Sequence, residues 1–393
     1  MKPGWDMKAL GEVATIINGG TPKSEVAAYW DGDVDWLTPK DMGKLDGHLV
    51  HLTPRRISRE GLAKCSARQV PAKSVIMSTR APIGHLAMNT VPMAFNQGCR
   101  GMVPGDKLDA KYLFYVLSAN VKALDDLGTG TTFKELSAGS LKSFPIPLPP
   151  LDEQKRIVAV LDAAFDGLSR ARAHTEANLQ NARELFDTIT REAFSDATGQ
   201  AETVTLEDVA DIPSALVDPR ENAFADLPHV GAGNMETGSD QLVNVLTARE
   251  EKLISGKYTF DASMVLYSKI RPYLRKAARP SFDGLCSADV YPLKPRSHKL
   301  NRNYLFHLLL GPDFTEYAIS GSDRVGMPKV NRNHLFAYSF TLPSIQVQAE
   351  IARKVDAALE FCNQAESHYR AKLADLDALR QSLLQKAFAG ELT

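Results

Sequence analysis

The run LPPLDEQKRIVAVLDAAF at 148–165 returns at 342–359 as LPSIQVQAEIARKVDAAL. Leu148/Leu342, Pro149/Pro343, Gln154/Gln348 and Ile157/Ile351 coincide, as do Asp162-Ala163-Ala164 and Asp356-Ala357-Ala358. The pairing continues upstream at a nearly constant offset. LGEVA from Leu10 matches LEDVA from Leu206, VIMSTRAP from Val75 matches VLYSKIRP from Val265, and YLFYVL from Tyr112 matches YLFHLL from Tyr304. At the far end EAFS from Glu192 pairs with KAFA from Lys386. A period of half the chain is a duplicated domain with its connector, not a solenoid of short repeats. The chain reads as globule, rod, globule, rod.

The rods follow from helical periodicity. From Asp152 to about Ser195 there is no proline and only Gly167 among glycines. Leu161, Ala164, Leu168, Ala171, Thr175, Asn178, Ala182, Leu185 and Ile189 alternate by three and four, as a heptad seam does. Val355, Ala358, Cys362, Ala365, Tyr369, Lys372, Leu376, Leu379 and Leu383 repeat the pattern. A helix of about 44 residues spans about 65 Å. Seams this rich in alanine and polar residues are marginal alone, so an antiparallel pairing within the chain, giving a pseudo-two-fold dumbbell, is expected; pairing between chains is the alternative. The globules mix β-like runs, KSVIMS and ASMVLYS, with short helical stretches at Lys111–Ala119 and Asn303–Leu310. The expected fold is α+β: two globular α/β-mixed domains (1–150 and 199–343) separated by a pair of long antiparallel, coiled-coil-like helices (151–198 and 344–393).

Bulk composition narrows the function classes. Among 393 residues, 44% hydrophobic and 24% charged is globular, not disordered. No run of about 18 apolar residues occurs and the start carries no apolar signal core, so no membrane partner is expected and the location reads as cytoplasmic. Cys65, Cys99, Cys286 and Cys362 form no C-x-x-C pair, which argues against a zinc site or disulfide framework. A formal net charge of -1 sends any nucleic-acid function to local patches.

No catalytic constellation stands out. Glu250-Glu251-Lys252 with Asp240 has a nuclease-like composition, but it sits in a helix-like LTAREEKL, where a solvated charged face is the simpler reading. GAGNME lacks the strand-loop-helix setting of a cofactor loop and reads as a turn. The basic runs say more. SKIRPYLRKAAR carries Lys269, Arg271, Arg275, Lys276 and Arg279 around Tyr273 with no acid. The first half has Arg80, Arg100 and the run RRISRE with Arg55, Arg56 and Arg59. Such residues suit phosphate positioning and guanine reading. NGGTPK, Asn18 to Lys23, offers a glycine pair that permits close backbone approach to an anion.

These residues, taken in order, resemble the specificity subunit of type I restriction-modification enzymes. The likeness is carried by NGGTP with YWDGDVDWLTPKDM, STRAPIG with AFNQG, SKIRPYLRK with CSADVYPL, and the two connectors, and it covers essentially the whole chain. It implies two target recognition domains, each reading half of a bipartite asymmetric double-stranded DNA site. It also implies helical spacers that set half-site spacing and dock two modification subunits, with restriction subunits joining the full complex. On this resemblance the chain is non-catalytic and binds no cofactor; S-adenosylmethionine, ATP and Mg belong to partner subunits. The DNA contacts expected are Thr21, Lys23, Lys40, Arg80 and Arg100 in the first reader, and Lys269, Arg271, Tyr273, Arg275, Arg324 and Lys329 in the second. The expected docking residues are Leu151, Glu153, Gln154, Ile157, Gln348 and Ile351. Ser344, Val347 and Ala349 replace Pro150, Glu153 and Lys155, so the two docks are not equivalent. Two other readings stay open at this level: a nuclease or methyltransferase in its own right, and a coiled-coil assembly adaptor.

Overall fold

The computed structural model describes residues 2, 4–45, 47–80, 82–130, 134–195, 202–213, 215–322 and 328–392. It divides into two compact units, Met1–His174 with Leu373–Thr393, and Thr175–Lys372. Two helices of 45 residues, Leu151–Ser195 and Ile345–Ala389, each contribute one part to either unit.

The units are built on one plan. A two-stranded antiparallel clasp closes each: Asp6–Ala9 on Pro145–Leu148 in the first, Glu202–Thr205 on Ser339–Leu342 in the second. Pro145 and Pro147 are tolerated because a two-stranded ribbon consists of edges, where missing donors are harmless. One-turn helices follow, Leu10–Val13 and Leu206–Val209. A sheet then forms in the same spatial order in both copies. In the first unit it runs Ala14–Asn18, Cys99–Pro104, Val75–Thr79, Ile83–Asn89, with Leu49–Val50 added at the edge. In the second it runs Ala210–Asp211, Val290–Pro295, Val265–Ser268, Ala277–Ala278. Both central strands are buried along their whole length, which is why VIMST and VLYS read as continuous apolar runs instead of alternating ones. A helix packs beside each sheet, Ala110–Ala119 or Arg302–Leu310, with Asp109 or Asn301 accepting from the first helical N–H groups.

The copies part company in their second sheets. The first unit has three strands, Arg56–Ile57, Trp30–Leu37 and Ala94–Phe95. The second has five: Leu216–Val217, Lys257–Phe260, Gly284–Cys286, Pro228–Val230 and Leu246–Thr247. The stretch LTAREEKL, expected to be helical, belongs here as a strand end followed by turns. Glu250 reaches back to cap the Thr247 N–H and hydroxyl at 2.8 Å, and Lys252 takes a left-handed φ of 53°, so local side-chain bonding ends any helix before it starts.

Within each unit the long helices pack antiparallel. In the first, Arg172 bonds Asp377 at 2.6 Å and Arg380 lies 4.3 Å over the Phe165 ring. In the second, Arg183 meets Glu366 at 3.2 Å. The buried stripe follows the expected heptad in part: Leu161, Thr175 and Ala182, and Val355 and Cys362 in the second helix, are buried, while Leu185 and Leu379 face solvent. Ile157, Phe165, Phe186 and Thr190 extend the buried face in steps of four. A helix of 3.6 residues per turn drifts from a strict seven-residue frame, and the core follows the helix.

Candidate nucleic-acid interface

In the first unit the strand register gathers several expected residues at one end of the sheet. Asn18 and Met77 both lie opposite Arg100, and Ser78 lies opposite Cys99. The chain therefore leaves this edge as the 19–23 loop, as Arg80, and as the Asn96–Gly98 turn. The Thr21 hydroxyl hydrogen-bonds the Gln97 side chain. Arg100 is largely buried: its Nη1 donates to the Gln97 and Cys99 carbonyls at 3.0 Å, and Nη2 lies 3.6 Å from Glu135. Arg80 approaches the same carboxylate at 3.9 Å. Lys23 and Lys40 are exposed, with no ion pair among the described residues. Lys40 rides on the one-turn helix Pro39–Met42, started by a Thr38–Asp41 capping box. Burial pushes the adjoining Cys99 thiol up to about 12, which makes it inert.

The glycine pair corrects an expectation. A Cβ on Gly19 would stand 1.9 Å from the Asn96 carbonyl oxygen, and one on Gly20 would stand 2.3 Å from the Ala67 nitrogen. The close approach those glycines permit is to the protein's own backbone. No room is left on that face for an anion.

The second unit uses the equivalent strand end. Lys269 donates to the Ala288 carbonyl at 2.6 Å and sits 3.5 Å from Asp289, which Lys329 also reaches at 3.2 Å. Beyond Lys269, Arg271 and Arg275 adopt left-handed φ values of 51° and 47° on either side of the turn Pro272–Leu274. Such backbone is costly for non-glycine residues and persists only where neighbours impose it. Here the Arg271 N–H donates to the Pro328 carbonyl at 2.9 Å and the Gly238 N–H donates to the Arg275 carbonyl at 3.1 Å. The result is a fixed turn that presents Arg271 and Tyr273, the latter 54% exposed.

Two arginines of that run are anchors. Arg275 grips Asp187 of the first long helix through its two terminal guanidinium nitrogens, Nη1 and Nη2. Arg279 lies 2.9 Å from Asp240 and 2.9 Å from Asp356, with its guanidinium 4.1 Å over Phe306. Arg275, expected on DNA, is thus placed to hold the turn against the helix, because two facing carboxylate oxygens outcompete a solvated position. Arg324 lies outside the described residues.

The expected docking residues need a larger correction. Gln154 is fully buried: its Oε1 accepts from the Asp109 N–H at 2.8 Å, and its Nε2 donates to the Lys107 and Pro149 carbonyls at 2.9 and 2.8 Å. Gln348 repeats this with the Asn301 N–H and the Lys299 and Pro343 carbonyls at 2.8, 2.9 and 2.8 Å. Ile157 and Ile351 are core residues, and Glu153 is 9% exposed beside Lys2. Buried side chains cannot form a docking surface. Of the six, Leu151 alone faces solvent.

The carboxylates with nuclease-like composition do not converge. Asp240 bonds Arg279, Glu250 caps Thr247, and Glu251 lies 3.0 Å from His229. Among the described residues no cluster of three or more His, Cys, Asp and Glu stands ready for a metal. Sequence reading passed over two acids that matter at the strand ends, Glu135 and Asp289. A signal for the first existed: the offset that pairs Gln154 with Gln348 also pairs Glu135 with Lys329.

The profile of the type I restriction modification DNA specificity domain matches residues 2–179 and 199–374. The chain belongs to this family. The chain is 33% identical to the MjaIX specificity subunit of Methanocaldococcus jannaschii over 184 residues, 46% of this chain and 43% of that protein, so the match spans less than half of either. The EcoDI specificity subunit of Escherichia coli is 27% identical over 73% of this chain and 71% of its own length. The StySPI specificity subunit of Salmonella potsdam is 21% identical over 99% and 89%. Among solved structures, a chain from a study of type I R-M complex assembly and conformational transition superposes with a TM-score of 0.77 at 18% identity, covering 100% of this chain and 99% of that one. The HsdS subunit from Thermoanaerobacter tengcongensis gives 0.57 at 19%, covering 100% and 98%. At such identities the likeness is one of fold, and it extends over both specificity domains.

Proposed function

We propose that this chain is the DNA-reading subunit of a type I restriction-modification complex and performs no chemistry itself. One observation carries the reading. A duplicated framework brings cations to equivalent strand ends in both domains, Arg80 and Arg100 in the first and Lys269 and Arg271 in the second, beside loops of different sequence. Such a layout suits two readers of different half-sites, with exposed cations positioning the phosphates and the loops meeting base edges. The full reading places adenine methylation, with S-adenosylmethionine, in two modification subunits, and ATP-driven cleavage in restriction subunits. Target adenines would be flipped into a partner's pocket. Half-site spacing would follow from the paired long helices, as dimer geometry sets it in other DNA readers. The modification subunits would dock on the exposed helix faces, where Leu151, Val160 and Phe361 are 36%, 41% and 63% exposed. No helix among the described residues is long and apolar enough to cross a membrane, which suits a partner of cytoplasmic DNA.

The test is to purify the full chain with its modification subunit and select binders from a random duplex library. One bipartite motif, bound more weakly as salt rises, is the expected result. Metal-dependent cleavage or methyl transfer by the chain alone would overturn the non-catalytic assignment. Partner binding with no DNA preference would favour an assembly adaptor.

A further inference from the structure

Two of the chain's three tryptophans stand together in the first unit. Trp30 and Trp36, on the strand Trp30–Leu37, meet edge to face with ring centres 5.3 Å apart. Both spend their indole N–H on the loop after Asn18: Trp36 donates to the Gly20 carbonyl at 2.9 Å and Trp30 to the Lys23 carbonyl at 3.2 Å. The Arg55 guanidinium lies over this pair, 4.0 Å from the Trp30 ring centre and 5.2 Å from that of Trp36. Its backbone is fixed as well, since the Thr53 hydroxyl donates to the Arg55 carbonyl at 2.7 Å.

Its neighbours are already committed. Arg56 is 3.2 Å from Asp35 and Arg59 is 2.9 Å from Asp33. Arg55 is exposed and has no carboxylate partner among the described residues. A cation held by ring faces is ordered without consuming its N–H edge, so the donors of Arg55 stay free. A rigid, uncompensated, outward guanidinium is what two-point recognition of a guanine O6/N7 edge needs.

We infer that Arg55 reads a guanine in the first half-site, with Trp30 and Trp36 as the platform that aims it and links it to the loop bearing Lys23. This rests on the DNA-reading function proposed above and adds a residue and a base to it. The experiment is binding selection from duplex oligonucleotides randomised around the wild-type site, using the full chain with its modification subunit. Arg55→Lys and Arg55→Ala should each lose about ten- to a hundredfold of the preference for guanine at one position of one half-site. The other half-site should keep its profile. Trp30→Phe, which weakens the platform and removes the bond to Lys23, should give a smaller loss at the same position.

Uniformly weaker binding with a shallower salt slope would overturn the inference in favour of a phosphate contact. An unchanged profile would overturn it too. So would a lowered melting temperature in both Arg55 variants, because Arg55 would then be supporting the tryptophans. A wild-type complex with no site preference would sink the underlying function, an outcome readable before any variant is made.

Discussion

Glu135 and Lys329 hold the same bridging position in the two units, with opposite charge. Glu135 bridges Arg80 and Lys329 bridges Ile270, each just past the central strand of its sheet. In the first unit the acid comes from the bridging segment and the cations, Arg80 and Arg100, from the strand ends. In the second the acid is Asp289, at a strand end, and it faces Lys269 and Lys329. One carboxylate shared by two cations therefore recurs, built from opposite parts.

Removing the shared acid should release cationic character toward DNA. Glu135→Gln frees Arg80, the more exposed of its two partners, because Arg100 stays tied to main-chain carbonyls. Weak, partly solvated pairs of this kind limit the effect, so affinity of the complex should rise about two- to fivefold at low salt. The slope of log K against log salt should steepen by about 0.9 if one phosphate contact is gained. Fluorescence anisotropy across a salt series reads both, and unchanged affinity and slope would refute it.

The paired glutamines make a stability prediction. Gln154→Ala strips three hydrogen bonds from a fully buried site and leaves the Asp109 N–H and two carbonyls without partners. Gln348→Ala does the same in the second unit. Each should cost about 2–4 kcal/mol in denaturant unfolding, since orphaned buried groups are expensive. An effect below about 0.5 kcal/mol, the range of ordinary surface changes, would contradict this role.

Two classes of side chain in SKIRPYLRKAAR should separate experimentally. Arg271→Ala and Tyr273→Ala remove side chains that the turn presents to solvent, so DNA binding should fall while the melting temperature holds. Arg279→Ala uncovers Asp240 and Asp356 and vacates the face of Phe306. Those acids are each about a third exposed, so the cost is near 2 kcal/mol and below that of a fully buried pair. A melting scan and a binding titration on the same three variants decide the matter; equal melting for all three would refute the division.

Acid sensitivity should trace partly to His307. The imidazole is wholly buried, its Nε2 lies 2.8 Å from Asp356, and its Nδ1 has no partner among the described residues. Burial lowers its pKa, against the opposing pull of Asp356, and nearby Arg279 adds to the lowering while Asp240 opposes it. Burial pushes the Asp356 carboxyl upward, but hydrogen bonds from His307 and Arg279 outweigh it and hold that group at about 2. A folded-state histidine pKa below the unfolded value of about 6.5 means the unfolded chain takes up the proton first, so stability is lost as pH falls below about 6.5. His307→Gln should flatten that decline by up to about 1.4 kcal/mol per pH unit. Unfolding curves between pH 5 and 7.5 test it, and parallel profiles for variant and parent would exclude His307 as a source.

What could be read without coordinates was whatever repeats or alternates. The duplicated connector gave two units and two long helices, because similar sequence tends to build similar structure. The runs KSVIMS and ASMVLYS announced strands, and YLFYVL and YLFHLL announced the helices beside the sheets. What could not be read was where a side chain spends itself. Arg271, Arg275 and Arg279 look alike in the sequence, and only the fold shows that Asp187, Asp240 and Asp356 claim the last two. The family resemblance put Gln154 and Gln348 on a dock; the fold shows that they repeat because each closes the same three backbone groups. The seam held at Leu161, Ala182, Val355 and Cys362 and failed at Leu185 and Leu379, because helix geometry chooses which residues face the core. Periodicity and repetition are local properties of the chain, so the sequence by itself determined the elements and their duplication. The partner of a charge or a buried amide is set by residues far off in the chain, 88 positions for Arg275 and Asp187 and 205 for Arg172 and Asp377, and only the tertiary structure decided that.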